Sequence, residues 1–128
     1  MLKGVCDMMS AIKNAQMAKK ETVSFPFSKI KWEISKLLEK EGFIEKAKKK
    51  GKEKKRIVLR LKYINGEGAI SGIKMISKPG RRIYLKRKDL YLPKRGYGIL
   101  ILSTPKGVMT SKEAKKIGQG GEAICEVW

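Results

Sequence analysis

Four consecutive apolar residues, Ile99, Leu100, Ile101 and Leu102, stop abruptly at Ser103-Thr104-Pro105-Lys106-Gly107. This junction constrains the fold more than any other stretch of the chain. A run so short and partly β-branched reads as a buried strand, and the polar residues behind it read as a loop. Thr110-Ser111-Lys112-Glu113 follows. There a Thr hydroxyl and a carboxylate three residues on can each satisfy one orphan N–H at a helix start, a capping box. The helix must be brief, because Gly118, Gly120 and Gly121 come next. A closing strand over residues 123–128 completes the unit. Two loops are expected on one rigid core: one brings the hydroxyls of Ser103 and Thr104, the other Gly120, Gly121 and the acid Glu122.

Charge decides what such loops face. The 128 residues include 31 Lys and Arg against 12 Asp and Glu, a formal charge of +19. A chain like this repels itself unless a polyanion compensates, so a nucleic acid or an anionic membrane is the expected partner. No apolar stretch approaches the roughly 18 to 20 residues needed to span a bilayer, and the first residues lack a signal-peptide run. The two N-terminal amphipathic segments are short for a membrane-surface helix. Cys6 and Cys125 sit in apolar surroundings and read as buried thiols of a reducing compartment. Histidine is absent, as is any C-x-x-C pair, so no zinc site, histidine-dependent triad or cofactor is expected. A nucleic-acid enzyme would show clustered acids at metal-binding spacing, which the scattered Asp7, Asp89 and Glu113 do not supply.

The length allows one ordinary domain or two small ones. Val5, Met8, Met9 and Ile12 recur at one face of a helix, and Met8, Met9 and Met17 read as core filler. A short β-prone run, Thr22, Val23 and Phe25, ends at Pro26. Ser28 then caps a second helix, with Phe27 and Trp32 placed to pack across its first turn. Ile30, Ile34, Leu37 and Leu38 form its buried stripe, Lys29 and Lys31 lie outside it, and Gly42 closes it. Ile57, Leu59, Leu61 and Tyr63 alternate with Val58, Arg60 and Lys62 as a strand. Ahead of it the block 46–56, with Lys48, Lys49 and Lys50, reads as a hairpin with cationic arms around Gly51. Either it contacts phosphate or it is a plain solvated tip.

Asn65-Gly66-Glu67-Gly68 is the candidate boundary. The expected class is α/β (α+β) in two small domains. Residues 1–65 would form a helix–strand–helix–hairpin unit, and residues 66–128 a mainly β unit with short helices. In the second, Lys78-Pro79-Gly80-Arg81 suggests a type II turn with Gly80 at positive φ. Residues 82–86 then continue as a strand with Arg82, Tyr84 and Lys86 on one face. A tyrosine among cations can stack on an exposed base, or it can be half-buried and hydrogen-bonded.

Several of these motifs occur together in one known family. Ser77-Lys78-Pro79-Gly80-Arg81-Arg82-Ile83-Tyr84, Ser103-Thr104 with Lys106-Gly107, and Gly120-Gly121-Glu122 strongly resemble the bacterial-type small-subunit ribosomal protein eight family. Asp7-Met8, Ile12-Lys13-Asn14-Ala15, Pro26-Phe27-Ser28-Lys29-Ile30 and Glu41-Gly42-Phe43-Ile44 agree in register. The resemblance implies a structural, non-enzymatic protein of the small ribosomal subunit, a primary binder of the central domain of 16S rRNA needed for 30S assembly. It further implies a cytoplasmic place on the ribosome, an organellar ribosome being the alternative. Neighbouring small-subunit proteins would be partners, and the free chain would be a monomer. A second implied role is repression through a similar hairpin in its own messenger; a general nucleic-acid-binding protein outside the ribosome is a further alternative.

The resemblance also implies a site. The family's Ser-Thr-Ser-Lys-Gly loop falls on Ser103, Thr104, Pro105, Lys106 and Gly107, its Gly-Gly-Glu segment on Gly120, Gly121 and Glu122, and its base-contacting tyrosine on Tyr84. Pro105 replaces a serine, removing a hydroxyl and a backbone donor. Around this set Lys78, Arg81, Arg82, Lys29, Lys31, Lys48, Lys49 and Lys50 are the candidate cations. Cations fix a protein over phosphates with little sequence information, whereas short hydroxyls on stiff supports can select. Glu122 would ordinarily repel phosphate. It is expected either to orient a loop, to accept from a base or ribose, or to be an ordinary loop-terminal acid.

Overall fold

The computed structural model describes residues 2–128. The chain divides into two units, Asp7–Ile70 and Ser71–Trp128, the latter together with the residues up to Cys6. It is an α+β protein, with helices and strands first and a mostly β region after them.

Helix α1, Leu2–Met17, buries Val5, Met8, Met9 and Ile12, the expected stripe. Met17 departs from expectation at 72% exposure, because five residues beyond Ile12 carry it round the helix and off the stripe. Strand β1, Thr22–Pro26, leads to α2, Lys29–Lys40. The Ser28 hydroxyl accepts from the Lys31 N–H at 3.3 Å. At the other end the Phe43 N–H donates to the Leu38 carbonyl at 2.9 Å, and the Gly42 N–H to that of Glu39 at 3.2 Å, a Schellman closure. The helix buries Ile34, Leu37 and Leu38. Strands β2, Ile44–Lys50, and β3, Arg56–Leu61, form a hairpin, and β3 lies centrally in the antiparallel order β1-β3-β2. Its Ile57, Leu59 and Leu61 are buried while Arg60 is exposed, since successive strand residues face opposite sides. Two short strands, β4 (Tyr63–Ile64) and β5 (Glu67–Gly68), pair around Asn65-Gly66. The glycine-rich run is thus a hairpin. Gln16 ties down Ile70, two residues beyond the hairpin, with its Oε1 accepting from the Ile70 N–H at 3.2 Å.

In the second unit, β6 (Ile73–Met75), β7 (Tyr84–Leu85), β8 (Ile99–Thr104), β9 (Gly107–Thr110) and β10 (Gly121–Val127) form one antiparallel sheet. Strand β10 is central: β8 lies on one side with β9 beyond it, and β6 and β7 follow one another along the other side. The short helix α3, Ser111–Lys116, opens with the expected capping box. Thr110 Oγ1 accepts from the Glu113 N–H at 3.2 Å and Glu113 Oε1 accepts from the Thr110 N–H at 3.3 Å. Leu90, Leu100, Leu102, Ala114 and Ala123 make a buried cluster under it. Cys6 and Cys125 are free thiols, and burial pushes that of Cys125 up to about 12, leaving it unreactive.

Three local expectations change. Gly121 and Glu122 belong to β10 and not to a loop, because pairing to β7 continues through both of them and pairing to β8 through Glu122. The Lys78–Arg81 turn is closed by two backbone hydrogen bonds of 2.9 Å, yet Gly80 is not at positive φ. It is therefore not type II, which requires positive φ there; Pro79 suits the first corner of a type I turn equally well. The strand expected over 82–86 shrinks to Tyr84–Leu85.

Candidate nucleic-acid interface

The β8–β9 tip is a tight hairpin in which Thr104 pairs with Gly107 across Pro105 and Lys106. Neither corner residue has positive φ, and Gly107 follows at +117°, a conformation that glycine adopts without penalty. Pro105 sits where its fixed φ favours the turn and where no strand bond needs its missing N–H. Thr104 Oγ1 donates to the Gly107 carbonyl at 2.8 Å and accepts from the Lys106 N–H at 3.1 Å. That hydroxyl is spent on the tip itself. Ser103 is different: among the described residues its half-buried hydroxyl has no partner.

Register assembles the rest. Glu122 of β10 lies opposite Ser103 of β8 and, on its other side, opposite Tyr84 of β7. Directly opposed residues share a face, so Tyr84, Glu122 and Ser103 form a row across three strands. Tyr84 is 68% exposed; the half-buried packing alternative does not apply to it. Glu122 at the middle of the row is only 8% exposed. Arg82 grips its carboxylate with a two-pronged guanidinium fork, Nη2 to Oε1 at 2.8 Å and Nε to Oε2. That fork, helped by the Ser77 hydroxyl, holds the Glu122 carboxyl below the usual carboxylate range and the Arg82 pKa above its own. Ser77 is itself buried, and its Oγ accepts from the Ile83 N–H at 2.9 Å. Glu122 thus anchors the segment that carries Tyr84 to the central strand.

Gly120 and Gly121 have a reason within the protein. A Cβ on Gly120 would fall 2.4 Å from the Leu85 carbonyl oxygen, and one on Gly121 2.4 Å from that of Ser103. Their bareness lets β10 close up against both neighbours, which fixes the spacing of the row. Lys106, Lys78 and Arg81 are exposed in this unit, and the Arg82 side chain remains 42% exposed behind its fork.

In the first unit Lys29 is exposed at the start of α2. Lys31 is half-buried, its Nζ 5.8 Å from the centroid of the Phe25 ring. The basic arm is strand up to Lys50, which pairs with Arg56. Strand alternation separates its lysines, with Lys48 and Lys50 on one face and Lys49 on the face of buried Ala47. Lys49 Nζ stands 4.8 Å from the Trp32 centroid and 5.5 Å from that of Phe27. Lys36 and Lys55 flank the same rings at 5.6 and 5.9 Å. The sequence marked Phe27 and Trp32 only as a helix staple; alternation of Lys49 with Ala47 was the available sign of their second role. Ser77 stands in the sequence only as the first residue of the motif run 77–84, with nothing to mark its hydroxyl.

Among the described residues no group of three His, Cys, Asp or Glu side chains is placed to hold a metal, and no helix is long and apolar enough to cross a membrane. A family model described as Ribosomal protein S8 matches residues 3–128. The chain is 44% identical to the small ribosomal subunit protein uS8 of Rubrobacter xylanophilus, over 97% of this chain and 96% of that one. It is 48% identical to the uS8 of Caldanaerobacter subterraneus subsp. tengcongensis with the same coverage. It is 46% identical to that of Tolumonas auensis over 96% and 95%. With end-to-end matches at these identities, the chain belongs to the ribosomal protein S8 family.

Proposed function

We propose that the chain is a structural constituent of the small ribosomal subunit, a primary binder of the central domain of 16S rRNA that is needed for 30S assembly. Proteins of this family are structural RNA-binding proteins and not enzymes. The observation that carries the site is the Tyr84–Glu122–Ser103 row, an exposed ring and a hydroxyl with no partner among the described residues, held at fixed separation by a half-buried ion pair. Tyr84 stacks on an unpaired base, and Ser103 exchanges hydrogen bonds with a base edge or a ribose 2′-OH. Lys106, Lys78, Arg81 and the free side of Arg82 meet phosphate. Thr104, Pro105, Gly107, Gly120 and Gly121 shape the surface, and Glu122 orients it.

Residues 66–128 are the recognition domain in this reading. Residues 1–65 add sequence-independent attraction through Lys29, Lys31, Lys48, Lys49 and Lys50. The protein works in the cytoplasm on the ribosome, beside other small-subunit proteins. Its own messenger would compete for the same surface if it displays a hairpin with the same groups.

A titration of the full chain against a central-domain 16S fragment and an unrelated duplex of equal length, at several salt concentrations, tests this. Log affinity should fall linearly with log salt for both. The cognate fragment should bind more tightly by about a thousand-fold or more. Equal affinities would remove the assignment as a specific primary binder.

A further inference from the structure

The second unit has another built surface, on the side of its sheet away from the row. Leu102 and Ala123 alternate with Ser103 and Glu122 along β8 and β10, so they face the opposite way. Helix α3 and Leu90 pack on that opposite face. Between them lies a hollow of about 300 Å³, walled by Leu90, Tyr91, Leu92 and Ser111 and rimmed by Lys112, Lys115 and Lys116.

Its walls are fixed before anything binds. The Ser111 hydroxyl donates to the Tyr91 carbonyl at 2.7 Å, and the Tyr91 hydroxyl donates to Glu126 Oε2 at 2.6 Å. Leu92 is 53% exposed and Tyr91 41%, an apolar surface at the mouth of the hollow. The three lysines fall at i, i+3 and i+4, on one side of α3. Among the described residues none of them has an ion-pair partner, and the one acid of the helix, Glu113, is held at its capping box.

We propose that this hollow docks an acidic segment of a neighbouring protein, seating one apolar side chain against Leu90, Tyr91 and Leu92 while flanking carboxylates meet Lys112, Lys115 and Lys116. An apolar anchor in a preformed pocket inside a ring of charge is how compact protein interfaces concentrate their affinity. A phosphodiester strand satisfies the lysines but leaves the leucines against water. A peptide covers both. The proposal rests on the reading above only in placing the chain in a particle where other proteins lie beside it. RNA held on the row leaves this face uncovered.

The test uses the chain assembled into small subunits, with photoreactive benzoylphenylalanine at position 92 in one sample and at position 103 in another. Position 92 should cross-link to protein, and the linked peptide should carry several Asp or Glu beside an apolar residue. Reversing the rim with Lys112→Glu, Lys115→Glu and Lys116→Glu should cut that adduct by about ten-fold or more while binding to the isolated RNA fragment stays measurable. If the reversed chain fails to assemble, Lys112→Gln with Lys116→Gln should still lower the yield. An RNA adduct at position 92, a protein adduct through a segment without acids, or no adduct there while position 103 labels RNA would overturn the proposal. Failure of position 103 to label RNA would count against the RNA-reading row and leave the result at position 92 standing.

Discussion

Ser103 and Thr104 are neighbours with the same functional group, and the fold gives them opposite work. Thr104 closes the hairpin with both sides of its hydroxyl, whereas that of Ser103 has no partner among the described residues. Ser103→Ala should therefore cost roughly 1 to 3 kcal/mol of cognate RNA affinity with an unchanged melting temperature. Thr104→Val should loosen the tip, seen as faster amide exchange at Lys106, and lower affinity only through that loosening. Equal exchange in both variants would remove the distinction. The sequence shows two hydroxyls at a loop; which is engaged depends on hairpin geometry that no residue type announces. Glu122 is a similar case. Its partner Arg82 lies forty positions upstream, so the pairing itself is visible only in the structure. Because the folded protein holds this carboxyl below its unfolded value, the unfolded chain takes up the proton first. The pair's contribution is complete above the ordinary carboxylate range and is lost as pH falls through the lowered value. Glu122→Gln should be less stable at neutral pH and show a shallower loss of stability on acidification, checked by thermal melts from neutral to acid pH. Parallel curves for the two proteins would show that the ion pair is not coupled to folding.

At the level of elements, what the sequence reveals is what is local. Ser28 caps α2, Thr110 and Glu113 cap α3, and β3 alternates, all because partners within four residues decide these features. The type of the 78–81 turn is not legible, because Pro79 fits the first corner of type I and type II alike. The reach of β10 down to Gly121 is not legible either, because it is set by pairing to β7, distant in sequence. The basic arm stands between these cases. Its charge and its hairpin are plain in the sequence, but only the register of pairing to β3 shows which way each lysine points. Lys48→Gln with Lys50→Gln should lower affinity for all RNAs by similar factors and flatten the salt slope. Lys49→Gln should change the slope less and lower thermal stability by about 0.5 to 1 kcal/mol, through loss of its place over Trp32. Salt titrations and melts of both variants separate the two. An unchanged slope in the double variant would mean that this face of the arm is merely solvated.

For the whole molecule, a charge of +19 supplies attraction to any nucleic acid, and in the proposed reading a small rigid row supplies choice. Composition alone revealed the first, and the motifs shared with the family pointed at the second. The hollow beside α3 was invisible in the sequence, because Leu90, Tyr91 and Leu92 lie some twenty residues from the lysines that rim it. The division of labour predicts that affinity and specificity come apart under mutation. The most direct measurement is the ratio of affinities for the central-domain fragment and an unrelated duplex, in the wild-type chain and in the Ser103→Ala, Tyr84→Leu double variant, across a salt series. The side chains lie about two strand spacings apart, so their losses should nearly add. The ratio should fall by about a hundred-fold, with the same salt slope and, given the exposure of Tyr84, nearly the same melting temperature. A ratio left unchanged would contradict the assignment of the RNA-reading surface to this row.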